Sequence, residues 1–204
     1  MIKISEKYRD KVQKRLLESA DVKKKVAEEC LESILEAAQM IINVFETGNK
    51  VMICGNGGSA ADSQHMAGEF VCVLNKTFNR PGLPAIALTT DTSVITAVAN
   101  DFNFDRIFER QVQSLGKPND LLIGISTSGN SKNVLNALKM AKSLKLETIA
   151  LTGQNGISAE TADIMILVPS SNTQYIQESH LTIEHILCEL VEHHLFNKKG
   201  KLWS

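Results

Sequence analysis

The sequence predicts an α/β protein: a doubly wound, five-stranded parallel sheet flanked by helices, preceded by an N-terminal helical arm. Three observations predict it. Five short apolar runs alternate with amphipathic stretches, as expected of parallel strands buried on both faces and joined by helical crossovers. Two of those runs end in loops rich in glycine, serine and asparagine that lead directly into helical segments. No glycine or proline precedes Gly48, and apolar residues up to that point recur every three or four positions, a helical period.

The elements follow in order. Within residues 1–47, the positions Val12, Leu16, Val22, Val26, Cys30, Ile34, Ala38 and Ile41 mark an apolar stripe among many charges. Asp21 is a candidate cap for a second helix there. The stripe has no obvious place in a two-sided sheet, so residues 1–47 are expected to pack between subunits as an oligomerisation arm. Strands are expected at 50–55, 85–88, 120–126, 148–153 and 163–169, the last stopped by Pro169. Helices are expected near 60–71, 91–99, 104–115 and 131–145, with a final one from about 173 to 196. Residues 48–196 therefore read as one sheet domain, and 197–204 as a polar tail.

The chain has 204 residues with 22 basic and 23 acidic side chains, a net charge of -1. That balance argues against a protein that coats nucleic acid or an anionic membrane. No apolar run approaches the roughly 20 residues needed to span a bilayer. The charged N-terminus lacks the apolar stretch of a secretory signal. Cys30, Cys54, Cys72 and Cys188 lie far apart with no C-x-x-C pair, so they read as small core residues in a reducing compartment, the cytoplasm.

Two strand ends carry anion-binding chemistry. The first runs into Gly55-Asn56-Gly57-Gly58-Ser59 and the third into Ser126-Thr127-Ser128-Gly129-Asn130-Ser131. Glycines let the backbone approach a ligand, and the following helix start offers unpaired N–H groups. Neither loop is a Walker motif or a strict dinucleotide fingerprint. Together, on one sheet edge, they point to a phosphorylated small molecule.

A second set of residues suits a metal ion or proton transfer. His65 and Glu69 are four apart on one predicted helix, and Gln177 and His185 lie about two turns apart on another. Two imidazoles, a carboxylate and an amide oxygen can enclose zinc. Residue type leaves His180, His193 and His194 equally available. The same groups suit an aldose–ketose interconversion, which needs an acid/base pair and a stabiliser for an enediolate oxygen. Asp91, Asn100 and Asp101 are candidates for sugar hydroxyls, and Asp91 is equally a helix cap before Thr92.

The stretch from Gly55-Asn56-Gly57-Gly58-Ser59 through His65-Met66-Ala67-Gly68-Glu69-Phe70 resembles the hallmark of the phosphoheptose isomerases, within the sugar-isomerase (SIS) superfamily. The similarity continues through residues 80–88, Asn100-Asp101-Phe102, residues 124–131, Ile176-Gln177-Glu178 and His185. It covers roughly residues 20–196. Met66, Gly68 and the C-terminal tail are its modest departures.

This resemblance implies a flavodoxin-like SIS fold and conversion of D-sedoheptulose 7-phosphate to D-glycero-D-manno-heptose 7-phosphate. That reaction opens heptose synthesis for lipopolysaccharide or capsule. It also implies one zinc per subunit and a homotetramer. By position, His65, Glu69, Gln177 and His185 match the family's zinc ligands, and Glu69 and His185 its acid/base pair. Asn56, Gly57, Gly58, Glu69, Asn100, Asp101, Ser126, Thr127, Ser128, Ser131 and Gln177 match substrate-binding positions. A non-enzymatic relative that binds the replication initiator shares the fold and loops but lacks counterparts of Glu69 and His185. Other SIS phosphosugar isomerases are a further alternative.

Overall fold

Period-two alternation assigns the strand side chains to two layers. The computed structural model describes residues 6–76, 79–156 and 160–197. Its strands are β1 (Val51–Gly55), β2 (Ala85–Ala87), β3 (Leu121–Ser126), β4 (Glu147–Gly153) and β5 (Ile164–Val168). Every pairing is parallel, in the order β2-β1-β3-β4-β5. The helices are α1 (Glu6–Glu29), α2 (Leu31–Glu46), α3 (Gly58–Val71), α4 (Thr92–Asp101), α5 (Ile107–Leu115), α6 (Lys132–Ser143) and α7 (Thr173–Phe196). A short 3-10 turn, Phe104–Arg106, leads into α5.

Val51, Ile53, Leu121, Ile123, Ile125, Ile149 and Leu151 face one layer with apolar residues of α2, α3 and α7. Met52, Cys54, Leu122 and Ala150 face the other, against α5 and α6. Both faces of β1 and β3 are thus filled by aliphatic side chains. That explains why these strands read as unbroken apolar runs rather than as alternating ones. Each expected strand and each expected helix of the sheet region is present, with ends shifted by a residue or a few.

The N-terminal region differs from expectation in two ways. Asp21 caps nothing: it lies inside α1, where its carboxylate pairs with Lys24 at 2.9 Å. The helix breaks instead at Cys30, which has no side-chain cap and whose thiol donates to the Leu167 carbonyl at 3.2 Å. The apolar stripe also has two fates. In α2, Ile34, Ala37, Ala38, Ile41, Ile42, Val44 and Phe45 are buried in the sheet's own core. The layer beside α3 and α7 has room for a third helix, which the sequence did not reveal.

α1 is the element that keeps an open apolar side. Its second half is tied to the start of α7. The Tyr175 hydroxyl donates to Glu18 and the Ser19 hydroxyl donates to Glu178, both at 2.5 Å. Earlier in the helix, Tyr8, Val12, Leu16 and Leu17 are exposed, Leu16 by 68%. The tail expected at 197–204 lies outside the described residues except for Asn197.

Because Ile41 is fully buried, Ile41→Ala should destabilise the folded chain by about 2–5 kcal/mol, measured by denaturant unfolding. A loss below about 1 kcal/mol would show that α2 is a detachable arm.

Candidate active site

In an open parallel sheet, ligands bind outside the carboxyl ends of the strands where the strand order reverses. Here that point lies between β1 and β3, which pair up to Gly55 and Ile125. α3 leaves β1 toward one face of the sheet and α6 leaves β3 toward the other. Both helix N-termini therefore border one crevice, and both Gly/Ser loops form its floor.

Local contacts hold those loops. Gly57 adopts φ 56° just before α3, a conformation that costs glycine little. The Ser126 hydroxyl donates to Ser131 at 3.0 Å, and the Ser128 hydroxyl accepts from the Asn130 amide at 3.2 Å. Thr127 accepts the Gly153 N–H through its carbonyl at 3.2 Å. Asn133 ties the two loops together through a reciprocal amide pair with Asn56, 2.8 Å in each direction. The sequence reading missed Asn133. Its signal was a polar residue on the buried stripe that Val134, Ala137, Leu138 and Ala141 continue.

The second group assembles where α3 crosses α7. His65 and His185 meet with their Nε2 atoms 2.8 Å apart, rings nearly perpendicular at 77°. Glu69 Oε1 is 3.7 Å from His65 Nε2. Gln177 Nε2 donates to Asp62 at 3.4 Å. The Gln177 amide also lies over the backbone of Gly58, where an added Cβ would stand 2.3 Å from Nε2. Gly58 thus leaves room for Gln177.

The other histidines take no part. His193 Nε2 is 2.5 Å from the Asn197 amide nitrogen, and His194 is 3.9 Å from Glu46. His180 is fully buried, and its Nε2 lies 3.2 Å from the Thr152 carbonyl. Burial pushes its pKa down to about 4, so it is neutral and donates from Nε2. Asp91 caps α4, accepting from the Val94 N–H at 2.9 Å. Asn100 donates to Asp101 at 2.8 Å at the exposed end of α4, and neither bonds to the α3–α7 group among the described residues.

Near His65 lie two buried carboxyl groups that the sequence reading also missed, Asp62 and Glu184. Both Glu184 oxygens and Asp62 Oδ2 have no hydrogen-bond partner among the described residues. Burial, reinforced by the nearby Asp62 charge, pushes Glu184 up to about 8. Burial raises Asp62 as well. Glu184 interrupts the apolar stripe of α7 between Ile183 and Leu187, the one sign of it in the sequence.

Zinc can be tested against this donor set. Two imidazoles in contact, a nearby carboxylate and an amide are the borderline and hard donors zinc takes. Among the described residues no three His, Cys, Asp or Glu side chains are gathered closely enough to hold a metal by themselves. The match is thus to the chemistry of the donors alone, and the two imidazoles as well as Glu69 would have to shift to hold an ion. A cavity of about 460 Å³ between α2 and the opposite end of the sheet, lined by Met40, Val44 and Ile164, contains none of these residues.

A model of the SIS domain matches residues 16–153. A phosphoheptose isomerase from Aquifex aeolicus is 52% identical over 90% of this chain and 95% of its own length. Another, from Trichlorobacter lovleyi, is 48% identical over 91% and 94%. The chain belongs to the phosphoheptose isomerase family. The solved phosphoheptose isomerase from Francisella tularensis superposes with a TM-score of 0.86 at 38% identity, covering 91% of this chain and 98% of that one. For the Neisseria gonorrhoeae structure the values are 0.84, 39%, 91% and 98%. Of the readings open on sequence, the initiator-binding factor and other phosphosugar enzymes are disfavoured by these phosphoheptose isomerase matches.

In this phosphoheptose isomerase fold, Gly58→Ala should displace the Gln177 amide. Turnover should fall about 10-fold or more, while the thermal midpoint holds or rises, since alanine favours a helix by about 1 kcal/mol over glycine. Wild-type turnover in this variant would show that the Gln177 position does not matter.

Proposed function

We propose that this isomerase interconverts D-sedoheptulose 7-phosphate and D-glycero-D-manno-heptose 7-phosphate through an enediol, with Glu69 and His185 as its acid/base groups. The observation that carries this reading is the His65–His185 contact of 2.8 Å beside Glu69, at the border of a crevice floored by two anion-binding loops.

The phosphate is held by N–H groups at the starts of α3 and α6 and by hydroxyls of Ser126, Thr127, Ser128 and Ser131. No lysine of P-loop type is needed, because helix starts already favour an anion. Asn56, Gly57, Gly58 and Gln177 line the approach, and Asn100 and Asp101 are our candidates for the sugar hydroxyls. One of Glu69 and His185 removes a proton from C1 of the ketose. The bonding pair becomes the C1–C2 double bond and O2 gains a proton. The return step places a proton on C2 and releases the one on O1, leaving an aldehyde at C1.

His65, Glu69, Gln177 and His185 are the proposed ligands of one zinc per subunit. When bound, zinc supplies positive charge for the enediolate oxygen. A carboxylate held by zinc would be a weaker base than a free one.

We also infer a cytoplasmic homotetramer that supplies heptose for a surface glycan. All four cysteines are free, which suits a reducing compartment. The exposed Tyr8, Val12, Leu16 and Leu17 of α1 are the apolar surface that assembly would cover.

Purified protein should turn over sedoheptulose 7-phosphate, and Glu69→Gln and His185→Gln should each lower kcat by at least ~100-fold. Unchanged turnover in either variant would remove the role given to that residue. No zinc by elemental analysis, with activity indifferent to a chelator, would remove the metal. Sedimentation at micromolar concentration should give a tetramer that Leu16→Asp dissociates, and a stable wild-type monomer would contradict the assembly.

A further inference from the structure

We propose that Arg80 and Glu192 form a positioning pair that sets Glu69 of α3 against His185 of α7. The proposal rests on the acid/base reading above and goes beyond it, since neither residue touches the crevice.

The geometry begins at the end of α3. A helix leaves its last carbonyls without partners inside the helix, and those of Glu69 and Phe70 fall in the final turn. The Arg80 guanidinium meets both: Nη2 donates to the Glu69 carbonyl and Nη1 to the Phe70 carbonyl, each at 2.9 Å. Nη1 also donates to the Pro81 carbonyl at 3.0 Å. A positive charge at this helix end is favourable in itself. The remaining edge of the fork reaches α7, where Nε donates to Glu192 Oε1 at 2.6 Å. The other Glu192 oxygen accepts the Asn75 N–H at 2.9 Å, and the Phe196 ring packs 5.5 Å from the guanidinium.

The side chains of this ion pair are only 1% and 2% exposed. Replacing a buried ion pair by apolar groups of similar size is often neutral or stabilising. Stability alone is thus a weak reason for placing one here, whereas location is a strong one. Glu69 is itself the residue whose carbonyl Arg80 holds. Glu192 lies seven residues beyond His185, about two turns along the same face of α7. One rigid, planar group therefore joins the turn that carries the carboxylate to the helix that carries the imidazole. Lysine, a point charge on a flexible stem, does not reproduce that fork. A displacement of about 1 Å between reacting groups can cost roughly 100-fold in rate, so the linkage is placed where small shifts matter.

The test separates geometry from stability. Glu192→Gln and Arg80→Lys should fold but lower kcat about 10-fold or more, leave KM within about two-fold and weaken zinc binding. The double variant Arg80→Met/Glu192→Met should regain the wild-type thermal midpoint without regaining kcat. Its crystals should show the His65 and His185 nitrogens moved apart beyond hydrogen-bond reach. If stability and turnover return together in the double variant, the pair is only structural and the proposal fails. If wild-type protein does not turn over sedoheptulose 7-phosphate, the isomerase reading fails instead. The ring separation in the double variant then still decides the pair, and an unchanged separation overturns it.

Discussion

The site depends on one packing contact, the crossing of α3 and α7 over the carboxyl end of β1. α3 carries His65 and Glu69, and α7 carries Gln177 and His185, more than 100 residues later in the chain. Neither helix carries all four residues. The crossing brings the two ring nitrogens to 2.8 Å, and much else in the fold serves to fix it. Met66, Ala67 and Phe70 of α3 and Ile176, Ile183 and Leu187 of α7 share one apolar layer with α2. The T-shaped Phe45–Phe70 contact, with centroids 5.2 Å apart, pins α3 to α2. Arg80 and Glu192 close the far end of the same junction.

The buried polar groups near this junction are a local weakness in an otherwise aliphatic core. Glu184, Asp62 and His180 each bury at least one polar atom without a hydrogen-bond partner among the described residues. Such atoms cost about 1–3 kcal/mol each unless water or another group meets them. The strands, by contrast, are filled on both faces and carry little that is polar. Asp62 and Glu184, two of these groups, lie close to each other and Asp62 lies near His65, where local rules of good packing are most often broken for function.

The sheet was legible in the sequence because its signal is local. Five apolar runs, each stopped by glycine, proline or polar residues, marked the strands, and the glycines after the first and third marked the loops, in which Gly57 and Gly129 adopt positive φ. Both Gly/Ser loops could be placed for the same reason. The α3–α7 meeting was not legible from spacing, since no helical period reports which distant helix lies opposite. Family likeness, rather than spacing, singled out Gln177 and His185 among the candidates on the last helix. The α2 half of the arm packs inward, because an amphipathic helix looks the same against its own core as against another subunit. Asn133, Glu184 and Glu192 left a faint trace as polar residues on otherwise apolar helical stripes. Arg80 left none, because its meaning lies in carbonyls supplied by a different element.

The central claim is that two helices meet to make one donor set. Anomalous diffraction at the zinc edge, on crystals grown with saturating zinc, tests it most directly. A peak within bonding distance of both His65 and His185 ring nitrogens, with Glu69 or Gln177 beside it, is the predicted result. No peak there, or one held instead by His193 or His194 at the far end of α7, would contradict the account.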